Sequence, residues 1–185
     1  MPIVFDTSAL LRPQFNAAEF TATKWEGPEV KAGFANDLCR FMAADFKDSL
    51  FTKRLYRRLA LSFGHIALYD RETFHDHFFR DLRGKEAFLE QIVKWPACGQ
   101  PEYTYCDVER AVQARLHECN LLAAYRALRA AEIEDAEREL LRRLKAKYDE
   151  TGMATTDRTP VPILHPGRPP KIEQKKTPSE QAALF

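Results

Sequence analysis

From Phe34 onward the apolar residues return every third or fourth position, and this period limits what the chain can fold into more than any motif does. Phe34, Leu38, Phe41 and Met42 make one stripe. Leu55, Leu59, Phe63 and Ile66 make a second, in a helix expected from about Phe51 to Tyr69. Phe74, Phe78 and Leu82 make a third, with Asp70 placed to cap that helix and Gly84 to end it. Phe88, Leu89, Ile92 and Val93 mark a fourth, which should stop at Trp95-Pro96 because proline cannot continue the helical hydrogen-bond ladder. A strand would alternate its faces at every second residue, and these stripes do not. The expected fold is mainly α: a small helical domain with a long C-terminal helix and a disordered tail.

Residues 1–30 hold Pro2, Pro13, Gly27 and Pro28 and show no sustained period. They read as an N-terminal arm lying on the body, with a short strand at Ile3-Val4-Phe5. The helical domain is expected over 31–104, closing with a loop from Ala97 to Tyr105 that contains Gly99 and Pro101. Thr104, followed three residues later by Asp107, resembles a helix start. A long charged helix should then fill 105–150. Its first half carries Val108, Val112, Leu116 and Cys119 on one face. Its second half is rich in Ala, Glu, Arg and Leu, and Ile133, Leu140, Leu141 and Leu144 form only a narrow apolar stripe. A stripe of that width suits a projecting helix or a helix pair better than a globular core. Past residue 151 the composition turns to Pro160, Pro162, Pro166, Pro169, Pro170 and Pro178 with Lys171, Lys175 and Lys176. Such a segment buries too little apolar surface to fold alone, so 151–185 is expected to be a disordered tail.

Thirteen Phe, six Tyr and two Trp in 185 residues supply an aromatic core, while a formal net charge of +1 supplies no field to draw the whole molecule onto nucleic acid. Any DNA contact must therefore come from a local patch. Lys53, Arg54, Arg57 and Arg58 share one stripe of the second helix and could meet phosphates without reading sequence. The alternative is an ordinary solvated face paired with Asp45 and Asp48. Phe51 and Tyr56 adjoin the stripe and would either stack on unpaired bases or pack in the core. The four cysteines, Cys39, Cys98, Cys106 and Cys119, form no Cys-x-x-Cys pair and read as reduced core thiols rather than zinc ligands. His65, Tyr69, Asp70, His75, Asp76 and His77 crowd together in sequence. On a helix, however, His75 and His77 point about 200° apart and cannot chelate one ion. No metal and no cofactor is expected, and no phosphate-binding glycine loop or nucleophile motif occurs. No apolar run is long enough to cross a bilayer, and the first residues lack the pattern of a secretory signal, so the expectation is a cytoplasmic protein without membrane contact.

Two short stretches resemble known families. The last five residues, Gln181-Ala182-Ala183-Leu184-Phe185, resemble the peptides Gln-x-x-Leu-Phe that dock on the bacterial sliding clamp, the β subunit of DNA polymerase III. The resemblance implies that Leu184 and Phe185 enter an apolar cleft of the clamp while Gln181 hydrogen-bonds its rim. Ala182 departs from the commoner Leu at that place, which implies weaker docking. A tether over Gly152 to Glu180 would reach on the order of 30 Å as a coil. The second stretch, Val4-Phe5-Asp6-Thr7-Ser8-Ala9-Leu10-Leu11, resembles the opening strand of PIN-domain nucleases, where the aspartate, here Asp6, binds metal. PIN domains go on to alternate helices with parallel strands, whereas this chain follows one helix with another. The leading expectation is thus a non-catalytic DNA replication or repair accessory protein that docks on the clamp. The alternatives are a helical adaptor or inhibitor from a mobile element, which would grip a protein partner through the long helix, and a metal-dependent nuclease using Asp6.

Overall fold

The computed structural model describes residues 7–63 and 70–151. Among them the fold is mainly α, with seven α-helices, two short 3-10 turns and no strand. The expected strand at Ile3-Val4-Phe5, Asp6, Ile66 and, apart from Thr151, which ends a helix, the expected disordered tail over 151–185 lie outside the described residues. The chain divides into two compact units, Met1–Arg143 and Leu144–Phe185. The described part of the second unit, 144–151, is helical.

The first unit is built on α2 (Pro28–Ala43). Pro28 takes the first helical position, where its missing N–H costs nothing, and the helix starts three residues before 31, the expected start of the helical domain. Its inner face buries Phe34, Ala35, Leu38, Phe41 and Met42, as the period predicts. Asp45 and Phe46 then adopt left-handed φ values of 55° and 59°, which turn Phe46 back into the core. There it stacks on Phe79 with ring centroids 4.9 Å apart and meets Phe41 and Phe88 edge to face. Phe51 continues the same cluster by stacking on Phe41 and Phe74. Offset and edge-on contacts of this kind add stabilisation beyond the area they bury.

α3 (Lys53–Leu61) is capped by Thr52, whose hydroxyl accepts from Leu55 N at 3.1 Å. It ends well before the expected Tyr69, because Ser62 is extended and Phe63 takes a φ of 54°, which directs the Phe63 ring into the core. α4 (Arg71–Phe79) is capped by Asp70 as expected, but Phe79, not Phe78, joins Phe74 as its buried face. α5 (Leu82–Lys94) stops at Trp95 before Pro96. Gly84 does not end α4. It lies in the first turn of α5, where its N–H donates to the Asp81 carboxylate at 2.6 Å. A Cβ there would sit 2.6 Å from the Phe78 carbonyl oxygen and 2.8 Å from that of His77, so only glycine lets the two helices meet so closely.

The expected single helix over 105–150 is two. α6 (Cys106–Glu118) and α7 (Leu121–Thr151) are separated by Cys119 and Asn120. Asn120 has a φ of 50°, a left-handed conformation that asparagine tolerates better than most residues. The break re-aims the chain so that Leu121 and Tyr125 are buried, and the Tyr125 hydroxyl donates to Asp45 at 2.5 Å. Arg129 and Arg126 pair with Glu86 of α5. Farther along, Ile133, Leu140, Leu141 and Leu144 are exposed.

From residue 7 on, the segment before α2 lies against the body and contributes to its core. Leu10 of α1 (Ser8–Leu11), Phe15 and Phe20 are buried. Arg115 of α6 donates to the carbonyls of Leu10 and Pro13, and its guanidinium lies 3.5 Å from the Phe15 ring centroid. Lys31 is fully buried and donates to Pro101 O at 2.8 Å and to both Asp107 oxygens at 2.9 and 3.0 Å. Asp107 also accepts from Thr21 N at 3.0 Å. Thr104 and Asp107 thus form no capping pair. Tyr105 stands at the N-cap without a side-chain cap, and Asp107 is committed to Lys31.

Gly84→Ala separates propensity from packing. Helix propensity alone favours alanine by about 1 kcal/mol. The carbonyl clash should dominate and destabilise the protein by roughly 1–3 kcal/mol, measured by urea unfolding. A stabilised variant would show the close approach to be wrong.

Candidate binding cleft

The four cations expected on one exposed stripe part company. Lys53, Arg54 and Arg57 are exposed on α3, but Arg58 turns inward. Among the described residues, Arg58 is the one cation of α3 in a salt bridge: Nη2 lies 2.9 Å from Glu26 Oε1, and Nη1 donates to Glu26 Oε2 at 3.1 Å. This two-point geometry matches the guanidinium fork to the carboxylate. The suggested partners Asp45 and Asp48 are used elsewhere, Asp45 by Lys85 and Asp48 by Arg71. The Tyr105 hydroxyl completes the cluster by donating to Glu26 and accepting from Arg58, whose charge also lies 5.6 Å from the Tyr105 ring centroid. Arg58 Nε is buried with no hydrogen-bond partner.

Two hollows meet over this cluster, sharing Glu26, Leu61 and Tyr105 as common wall. The smaller, of about 360 Å³, is bounded by Arg54, Arg57 and Arg58. The larger, of about 660 Å³, is bounded by Trp25, Trp95, Tyr103 and Glu109. Three of their apolar residues face outward: Trp25 is 72% exposed, Leu61 84% and Tyr103 59%. The Thr23 hydroxyl sets the Trp25 end, accepting from Trp25 N at 3.2 Å and Glu26 N at 2.8 Å. Lys24 N donates to Glu102 O at 2.8 Å and ties that turn to the loop carrying Tyr103.

The electrostatics differ along the cleft. The Arg58 and Tyr105 hydrogen bonds hold the Glu26 carboxyl below its ordinary range, so it stays ionised. Burial, reinforced by the Glu26 hydrogen bond, pushes Tyr105 up to about 12 and keeps its proton in place. Burial moves the Glu109 carboxyl the other way, above its ordinary range, although the Phe63 backbone and the Trp95 side chain hydrogen-bond to it. The cleft thus has a fixed anion held by Arg58, a carboxyl that resists ionising, and two guanidinium groups, Arg54 and Arg57, outside any salt bridge among the described residues.

The other sequence candidates do not converge on this place. Gln181, Leu184 and Phe185, like Asp6 and His65, lie outside the described residues. His75 and His77 both lie on α4; His75 faces the Phe46 carbonyl at 3.2 Å. No group of three or more His, Cys, Asp or Glu among the described residues could hold a metal ion. Phe51 is fully buried, and Tyr56 packs against Phe51 and Phe74, so neither is a stacking platform. Cys39 and Cys106 are buried, whereas Cys98 is exposed at the cleft, against the expectation of core thiols. No helix among the described residues is long and apolar enough to cross a membrane. Sequence reasoning missed Trp25, Glu26, Tyr103 and Glu109. No local spacing marks them, since Glu26 meets Tyr105 across 79 positions.

The lowered Glu26 carboxyl fixes a pH dependence. The stability it contributes is complete above its ordinary value of 4.5 and is lost as pH falls through its lowered value. Glu26→Gln should therefore cost about 1 kcal/mol at neutral pH, a small figure because the pair is partly solvated, and the deficit should close in acid. Urea midpoints near neutral pH and near pH ~3 check this; an equal deficit at both would rule the linkage out. Compared with known proteins, the chain matches no family model and, at a significant level, no curated protein and no solved structure.

Proposed function

We propose that the chain is a non-catalytic accessory protein of DNA replication or repair that docks on the bacterial sliding clamp through Gln181, Leu184 and Phe185. The observation that carries this reading is the sequence Gln181-Ala182-Ala183-Leu184-Phe185, which places the three discriminating residue types at the right spacing. Burying Leu184 and Phe185 in an apolar cleft would contribute about 1.5–3 kcal/mol each, against the entropy lost on ordering the peptide. The expected affinity is micromolar. In a binding assay of the full chain with purified clamp, Leu184→Ala and Phe185→Ala should each weaken the complex roughly tenfold or more. Binding by both variants that equals the parent would remove the proposal.

A second reading, a helical adaptor that grips a protein partner through α7, is supported by the exposure of Ile133, Leu140 and Leu141 among charged neighbours. It expects a monomer in sedimentation, with this face left for a foreign partner. A stable dimer that Leu140→Asp converts to monomer would assign the face to self-association instead.

A further inference from the structure

Chemistry is distributed unevenly along the cleft. At one end the Trp25 and Tyr103 rings stand 6.5 Å apart with planes inclined at 68°, so they form an open corner rather than a closed stack. At the other end, across Leu61 and Tyr105, are Arg54 and Arg57. These two lie one helical turn apart, exposed and outside any salt bridge among the described residues. Arg58 brings no charge to spare, since Glu26 matches it. The exposed corner presents two ring faces, and neither guanidinium group is in a salt bridge among the described residues, although Arg54 acts on Glu26 at longer range.

A nucleotide strand suits both ends at once, with a π face on every base and a charge on every phosphate. An acidic peptide would satisfy the arginines. It offers a flat ring only where it carries an aromatic side chain, however, whereas every nucleotide carries one beside its charge. A duplex presents its bases already stacked and paired, and they cannot enter a corner of this size.

We propose that this cleft seats a single-stranded nucleic-acid segment, with one base in the Trp25–Tyr103 corner and the neighbouring phosphates on Arg54 and Arg57. Lys53, at the outer end of the same helix, extends the phosphate track. With a net charge of only +1, the chain binds such a strand weakly and in a salt-sensitive way, as a local contact rather than a general attraction. The proposal stands apart from clamp docking and shares no residue with it.

The test is fluorescence anisotropy of a labelled strand of about 12 nucleotides titrated with the full chain at about 50 mM salt. Saturable binding is expected, with Trp25→Ala and Tyr103→Ala each weakening it roughly tenfold. Arg54→Ala combined with Arg57→Ala should lower the slope of log affinity against log salt by about 1.4, from about 0.7 per phosphate contact. Arg138→Ala, on α7, should leave binding unchanged. The substituted rings are exposed, so thermal unfolding should match the parent and separate lost binding from lost fold. Three results each overturn the proposal: no saturable binding, ring variants that bind as tightly as the parent, or a duplex that binds as well as the strand. Displacement of the strand by an acidic aromatic peptide but not by unlabelled strand also overturns it, in favour of a protein partner. None of these results alters the Leu184 and Phe185 measurement.

Discussion

The pairing of buried Lys31 with half-buried Asp107 is the interaction on which the arrangement of the first unit depends. An ammonium group removed from water carries a large desolvation penalty unless its donors are met. Here they are met by Pro101 O and both Asp107 oxygens. The two charges therefore fix α2, the start of α6 and the loop before it, while Thr21 N attaches the preceding segment to the same carboxylate. Two apolar residues of equal volume could match the pair in stability. They would not set direction. The Lys31 ammonium lies 5.5 Å from the Tyr105 ring centroid, and the hydroxyl of that ring joins Glu26 and Arg58. The orientation of the cleft's shared wall is thus inherited from a charge buried behind it.

That dependence explains how a nearly neutral chain presents a polarised site. Four cations occur within six residues of α3, yet their environments differ because the helix presents successive residues at different angles to the body. Arg58 faces Glu26 and is neutralised, whereas Lys53, Arg54 and Arg57 face solvent. The exposed aromatic residues come from separate parts of the chain, Trp25 before α2 and Tyr103 before α6. They are brought together by the Lys24–Glu102 backbone hydrogen bond and the Lys31–Asp107 pair beneath it.

Helical periodicity carried most of the fold. Phe34, Leu38, Phe41, Leu55, Leu59, Phe74, Phe88 and Val112 were all readable as core, and all are buried. Periodicity failed where backbone conformation rather than side-chain pattern decides. Phe46 enters the core through two consecutive left-handed residues, α3 stops at Leu61 although Phe63 is buried as its stripe predicts, and Asn120 interrupts what reads as one uninterrupted helix. Gly84 reads as a terminator because glycine often follows a helix, but here its lack of a side chain serves a close approach between helices. The cleft was less legible still. Only its cationic edge repeats at a local spacing, while its aromatic and acidic walls are assembled by contacts that sequence proximity does not announce.

The turn at Asn120 makes the length of the chain around it part of the fold. Each residue added to or removed from a helix rotates everything after it by about 100°. Leu121 and Tyr125 reach the core, and Arg126 and Arg129 reach Glu86, only because the chain turns where it does. The count of residues from Val112 to Arg129 is therefore as much a part of the fold as their identity, and an insertion there would swing Tyr125 away from Asp45 and Phe46. Over 130–143 the side chains are exposed except Glu139, which is half-buried. Packing sets no such count in that stretch, so the helix can lengthen or shorten there without disturbing the body.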